Sequence, residues 1–484
     1  MAEEHFLTVT ELSRRIATKE LSPVELLRGY LARAEEIDLA PFELPADPSL
    51  DTGGRLASIL TLAREEALAA AKTAENEILH DRIRGPLHGI PYGVKDLLDT
   101  RGIRTTWGSR IFRDRIPDRD ATVIAKLSEA GAILMAKMSL AEFAGGNSSN
   151  ARNPWKLDRS THGSSSGTAV GAVAGLIGFG IGTETGGSIV LPSATCGATG
   201  LRPTFGRVSR HGCMPLSWCL DKIGPVARSA ADCGLALEAI AGPDPKDPST
   251  FDRPFSFRSE PGPMRGRKVA VHGAELDAVR IPENRVVFDR AIDVFRQMGV
   301  AVEEVTLPRR PYGEVFSNIT AVEGGAIFQS LFEDRRIDGM FRYNWSRRAA
   351  WFAGMMAPAS DYVAAQRIRQ VIVDDADEIL RPYAAVLAPT SATGAGPRDD
   401  VVQPPIPPPR REPSGPRAPR LNTMANLAGL PGINVPCGFD AEGMPLCLQI
   451  VGAAWEDQSV LDLAMAFQKE TTWHQMRPPF PFRE

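Results

Sequence analysis

Leu26, Leu27, Tyr30, Leu31, Ala34 and Ile37 recur three and four residues apart behind Ser22-Pro23-Val24-Glu25, the period of a helix with one packing face. A serine cap, proline at the first helical position and glutamate three residues after the serine mark where that helix starts. Thr8 with Glu11 writes a shorter helix start ahead of it. Three prolines and two glycines between Pro41 and Gly54 break the period, and a further helix is predicted over Arg55 to Ile78. Residues 1–80 therefore read as a helical segment.

From Gly85 onward short apolar runs alternate with helical ones. Gly89 to Lys95 reads as a strand that leaves Lys95 near its end, Ala121 to Ala130 as a helix and Ala132 to Ala136 as a strand. Ala169 to Gly182 reads as a buried helix entering a buried strand, too short and glycine-rich for the ~20 apolar residues of a membrane span. Arg267 to Val271, Glu283 to Met298 and Val300 to Val305 repeat the alternation. Asn422 to Leu430, Gly432 to Phe439 and Pro445 to Gly452 continue it as helix, strand and strand, so an α/β sheet is predicted.

Two stretches differ in character. Phe341 to Met356 crowds Phe341, Tyr343, Trp345, Trp351, Phe352, Met355 and Met356 together, which suits either core packing or the wall of an apolar substrate cleft. Pro397 to Pro419 holds nine prolines and reads as a surface excursion from a single domain spanning 1–484.

Composition narrows the function classes. With 43% apolar and 24% charged residues the chain is an ordinary globular sequence, and a net charge of −4 argues against a general nucleic-acid or anionic-membrane surface. The acidic Met-Ala-Glu-Glu-His start lacks the order of a secretory signal, which makes the cytoplasm the expected location. Six irregularly spaced cysteines suit reduced thiols, and the seven histidines show no metal-ligand spacing.

The chemistry is carried by Gly163-Ser164-Ser165-Ser166-Gly167 and Thr183-Glu184-Thr185-Gly186-Gly187-Ser188-Ile189, with Gly93-Val94-Lys95-Asp96 upstream. A serine hydroxyl is a poor nucleophile until a neighbour takes its proton, and a buried lysine can do so because burial disfavours its charged form. Glycine beside Ser188 lets backbone N–H groups approach a substrate oxygen. Gly163-x-Ser165-x-Gly167 also fits the elbow of a Ser-Asp-His hydrolase with Ser165 as nucleophile, but the preceding Trp155 to His162 is no buried strand. Gly178-x-Gly180-x-Gly182 lacks the third glycine of a dinucleotide loop.

These segments, together with His88 to Asp96, Arg152 to Trp155, Gly200 to Ser209, Asp221 to Pro225 and Asn426 to Pro431, follow the order of the amidase signature family of serine hydrolases, which the chain resembles over most of its length. The resemblance implies a mixed central sheet flanked by helices on both faces, and a Ser-cisSer-Lys triad of Lys95, Ser164 and Ser188. It also implies an oxyanion hole built from the N–H groups of Thr185, Gly186, Gly187 and Ser188, with no cofactor and no metal. Ser188 would attack an amide or ester carbonyl, its proton passing through Ser164 to neutral Lys95, and water would then clear the acyl-enzyme.

Thr161, His162 and Ser166 stand where proline, glycine and glycine are commonest in that family, Glu184 replaces an aspartate and Val190 an arginine. The Glu184 and Val190 pairing resembles a branch acting on peptide or other bulky amides, and His162 reads as a structural or pocket residue. Val190, Trp345 and Trp351 are expected to shape an apolar or aryl pocket for a small-molecule amide, ester or carbamate, with no nucleic acid or membrane as partner and self-association left open. The same triad would serve the glutaminase subunit of a tRNA-dependent amidotransferase, which works in a complex and delivers ammonia. A glutamine site needs paired charged groups.

Overall fold

In a computed structural model, which describes residues 4–41, 43–146, 149–398 and 420–480, the α/β expectation becomes one mixed sheet of eleven strands. The strands are β1 (Ile59–Leu62), β2 (Pro91–Lys95), β3 (Ile133–Met138), β4 (Phe179–Glu184), β5 (Thr199–Arg202), β6 (Lys222–Ala227), β7 (Lys268–His272), β8 (Ala301–Val305), β9 (Ala385–Pro389), β10 (Gly432–Phe439) and β11 (Pro445–Val451). Their order across the sheet is β1-β3-β2-β4-β6-β5-β10-β11-β9-β7-β8. β3, β2 and β4 run parallel, as do β9, β7 and β8, and the remaining neighbours are antiparallel.

Every residue of β2, β4, β5, β6, β9 and β11 is buried, because helices cover both faces. Alternation along β7 and β9 separates the two layers. Val269, Val271 and Leu387 join the larger core, whereas Ala270, Val386 and Ala388 face the helices Tyr312–Ile327, Ala359–Leu380 and Leu421–Ala428. Edge strand β8 is open to solvent along much of its length.

The start signals near the N-terminus act as read. Ser22 Oγ accepts the N–H groups of Val24 and Glu25 at 3.0 and 3.2 Å, and Thr8 Oγ1 accepts Glu11 N–H at 3.2 Å. The helix predicted over Arg55 to Ile78 is corrected: Ile59–Leu62 is a strand antiparallel to β3, and the helix begins at Arg64. Pairing with β3 overrides the helical reading of this short apolar run. The proline-rich stretch expected over 397–419 lies outside the described residues from 399 onward. Among the described residues no helix is long and apolar enough to cross a membrane.

Candidate active site

β2 ends at Lys95 between parallel neighbours β3 and β4, so a lysine side chain is delivered into the centre of the sheet with no solvent exposure. Its Nζ donates to Ser164 Oγ at 2.7 Å, to Thr183 Oγ1 at 2.8 Å and to Thr183 O at 3.4 Å. Burial pushes its ammonium down from the ordinary lysine range to about 7, against weaker opposing effects from Cys213, Asp221 and Glu184. A lysine so placed is half neutral near pH 7.

Ser164 follows a cis peptide bond from Gly163 and sits in the turn before the helix Ser166–Val173. That turn is pressed against the sheet. A Cβ on Gly167 would lie 2.5 Å from Ser139 N, and Gly167 N–H donates to Ser139 O at 2.9 Å. Ser188 lies in the turn before the helix Val190–Cys196, is half-buried, and accepts Ser165 N–H on its carbonyl at 3.1 Å, which ties the two serine segments together through the backbone. The structure thus brings Lys95 and Ser164 into direct contact. It makes no hydrogen bond between the hydroxyls of Ser164 and Ser188.

Ser165 is wholly buried, and its hydroxyl is engaged with β4, donating to Thr183 O at 3.1 Å and accepting Thr183 N–H at 3.3 Å. His162 is half-buried, its backbone N–H donates to Ser160 Oγ at 3.0 Å, and burial lowers the pKa of its ring.

The loop between β4 and Ser188 is held from several sides. Glu184 Oε2 accepts the N–H groups of Ile189 and Val190 at 2.8 and 3.0 Å, while its Oε1 takes Arg202 at 2.7 Å and Asn426 at 3.0 Å. Burial alone would raise this carboxyl, but Arg202, Lys222 and these hydrogen bonds together hold it below the usual range. Thr185 Oγ1 donates to Asp221 at 2.6 Å, and Asp221 also accepts the N–H groups of Leu216 and Ser217. Among the described residues no protein acceptor takes the N–H groups of Gly186, Gly187 or Ser188.

A cavity of about 230 Å³ opens beside Thr183 and Thr185. Leu97, Cys213, Met214, Leu216 and Ile223 supply apolar wall, and Arg210, Trp218, Asp221, Lys222, Lys246 and Asp247 also line it. Burial lowers Lys222 to about 7 and raises the Cys213 thiol to about 12. The three residues expected to shape an apolar pocket are placed elsewhere. Val190 and Trp351 are wholly buried, Trp351 packing at 4.3 Å from the Phe328 ring in the helical layer, Trp345 is half-buried, and none of the three lines this cavity.

Thr183, Asp221, Arg202 and the cavity wall over 210–218 carry no site role in the sequence reading; Asp221 and Asn426 stand in quoted motifs without an assigned task. Among the described residues no three His, Cys, Asp or Glu side chains come together as a metal site.

A family model described as Amidase matches residues 53–461. A glutamyl-tRNA(Gln) amidotransferase subunit of Moorella thermoacetica is 34% identical over 98% of this chain and 99% of its own length, and the protein of that name from Roseiflexus sp. is 34% identical over 99% of each. Among solved structures, the peptide amidase from Stenotrophomonas maltophilia superposes with a TM-score of 0.81 at 29% identity, covering 98% of this chain and 99% of that one. The corresponding glutamyl-tRNA(Gln) amidotransferase subunit from Thermotoga maritima superposes with a TM-score of 0.76 at 28% identity, covering 98% of both chains. A buried lysine bound to a serine, a glycine-rich loop with open N–H groups and matches along the whole chain agree, and the protein belongs to the amidase signature family of amide-cleaving enzymes.

Proposed function

We propose that the protein opens a carboxamide through an acyl-enzyme on Ser188, with Ser164 passing the proton to Lys95. The observation that carries this reading is the 2.7 Å contact between Lys95 Nζ and Ser164 Oγ at a lysine whose burial leaves it half neutral near pH 7. A neutral amine can take a proton from the hydroxyl it contacts. The relay would close when substrate binds and the Ser188 hydroxyl meets Ser164, since hydrogen bonds in a substrate-free site commonly tighten only on binding. The N–H groups of Thr185, Gly186, Gly187 and Ser188 are then the donors for the developing oxyanion, each contributing on the order of 3 kcal/mol.

For the substrate, the aryl or apolar amide draws little support from Trp351 and Val190, which are shut in the core. A second reading, a glutaminase subunit of an amidotransferase, is supported by the curated relatives, which bear that subunit's name along their whole length. It is supported too by the cavity, whose lining includes basic side chains, Arg210 and Lys246, and acidic ones, Asp221 and Asp247, the charge types that would meet the carboxylate and ammonium of glutamine, with Arg210 and Asp247 3.6 Å apart. In that reading the ammonia released would pass to a partner-bound acceptor. The test is ammonia release from glutamine and from a dipeptide amide, and aniline release from an anilide, by the purified protein. Glutamine as the best substrate supports the glutaminase reading, a preference for the peptide amide or anilide supports a free-standing amidase, and cleavage of none of them contradicts both.

A further inference from the structure

Asn422 is the second residue of the helix Leu421–Ala428, and nothing in its sequence context marks it for chemistry. Its Nδ2 donates to the carbonyl of Gly186 at 3.2 Å. The orientation of the amide follows from its surroundings. Arg202, Asn426 and Gln449 all donate to Asn422 Oδ1, at 2.9, 3.1 and 3.2 Å, so the nitrogen is left to face Gly186.

The Gly186 carbonyl belongs to the same peptide unit as the Gly187 N–H. In a trans peptide the two project to opposite sides, so pinning the oxygen aims the N–H away from the helix Leu421–Ala428. Between two glycines such a unit can turn over at little steric cost, and Gly187 already has a φ of +133°. A carbonyl that accepts a hydrogen bond also polarises its own N–H, making it a better donor. The flanks of the loop are fixed independently, by Glu184 on Ile189 and Val190 and by Asp221 on Thr185. The Phe316 ring lies where a Cβ on Gly186 would project, so no bulkier residue could stiffen the unit instead.

We infer that Asn422 is a positioning residue that locks the Gly186–Gly187 peptide plane and so aims the Gly187 N–H at the substrate oxygen. It acts through Gly186 and touches no reacting atom. The inference rests on the hydrolase reading above.

Asn422→Asp separates this role from a merely structural one. The carboxylate keeps acceptors for Arg202, Asn426 and Gln449 and adds charge pairing with Arg202, but it cannot donate to Gly186 and opposes its carbonyl. Expected are a Tm at or above that of the wild type, a kcat on p-nitrophenyl butyrate lowered by ~10- to 100-fold, and a KM changed less than about threefold. Affinity for a boronic acid, whose tetrahedral adduct presents an oxyanion, should fall by the same factor as kcat/KM, while affinity for butyrate stays unchanged. Asn422→Ala should lose Tm as well as kcat, because it also removes the acceptor shared by Arg202, Asn426 and Gln449. A stable Asn422→Asp variant with wild-type kcat and boronate affinity overturns the inference alone. A wild type that forms neither acyl-enzyme nor boronate adduct at Ser188 overturns the hydrolase reading and the inference with it.

Discussion

Lys95 and Lys137 sit on the adjacent parallel strands β2 and β3, both without solvent exposure, and burial lowers both, Lys95 to about 7 and Lys137 to about 8. Their partners differ in kind. Lys137 donates to Leu98 O, Thr100 Oγ1 and Thr105 Oγ1 at 2.5, 2.9 and 2.9 Å, with the Asp96 carboxylate 3.8 Å away, and it does not line the cavity. Among the described residues no carboxylate comes within ion-pair distance of Lys95. It is held by a serine and a threonine hydroxyl, and that threonine lines the cavity. Burial alone therefore does not make a base. In the proposed mechanism a depressed lysine becomes one when its contact is a hydroxyl that can pass a proton on, next to space for a substrate, whereas beside a carboxylate it serves as the cation of a structural pair.

The comparison breaks most visibly at Lys95 itself. Lys95→Met is expected to lower kcat by at least ~10³-fold, as loss of a member of a catalytic unit does, while the Tm holds or rises because a buried amine has been replaced by an apolar chain of similar length. Steady-state kinetics and thermal unfolding on the same preparation check both halves. Lys137→Met should do the reverse. It leaves Asp96 buried without its cation, at a cost of about 3 kcal/mol in unfolding free energy by denaturant titration, and changes kcat per folded molecule by less than about tenfold.

The pH dependence sharpens the same contrast. A proton on Lys95 blocks the relay, so kcat/KM should fall as pH drops through about 7 and level off above it. For stability the sign follows from proton binding. The folded pKa lies below the ordinary lysine value, so the unfolded chain holds more protons from about pH 7 to 10.5; stability rises with pH across that window and is lost as pH falls through about 7. Lys137 and Lys222 contribute in the same direction, so that slope should persist in Lys95→Met although the activity is gone. The smallest effect belongs to Ser165. Its hydroxyl only bridges β4, so Ser165→Ala should cost about 1 kcal/mol of stability and leave kcat within about tenfold of wild type.

What the sequence made legible follows the range of the interactions. Lys95 at a strand end, the helix caps at Thr8 and Ser22, and the alternation through β7 and β8 all depend on neighbours within one element or on motifs in fixed order. Ile59–Leu62 did not read as a strand because four residues inside a helical window show their state only through pairing with β3. Trp351 left core and cleft open, since both are lined by the same residue types, and only its packing on Phe328 and Phe143 decides. Asn422 meets Gly186 across 236 residues of sequence, and the cavity wall at 210–218 is distant in the chain from Lys95, so neither contact leaves a local pattern to find.

The central claim is that Ser188 carries the acyl group and Lys95 makes it nucleophilic. The most direct measurement is rapid-quench mass spectrometry of the wild type and Lys95→Met after mixing with p-nitrophenyl butyrate, with the modified peptide sequenced. A butyryl group on the peptide at Ser188 in the wild type, forming on the timescale of turnover and absent from Lys95→Met, is the expected result. An acyl group on Ser165, or one that forms equally fast without Lys95, would contradict it.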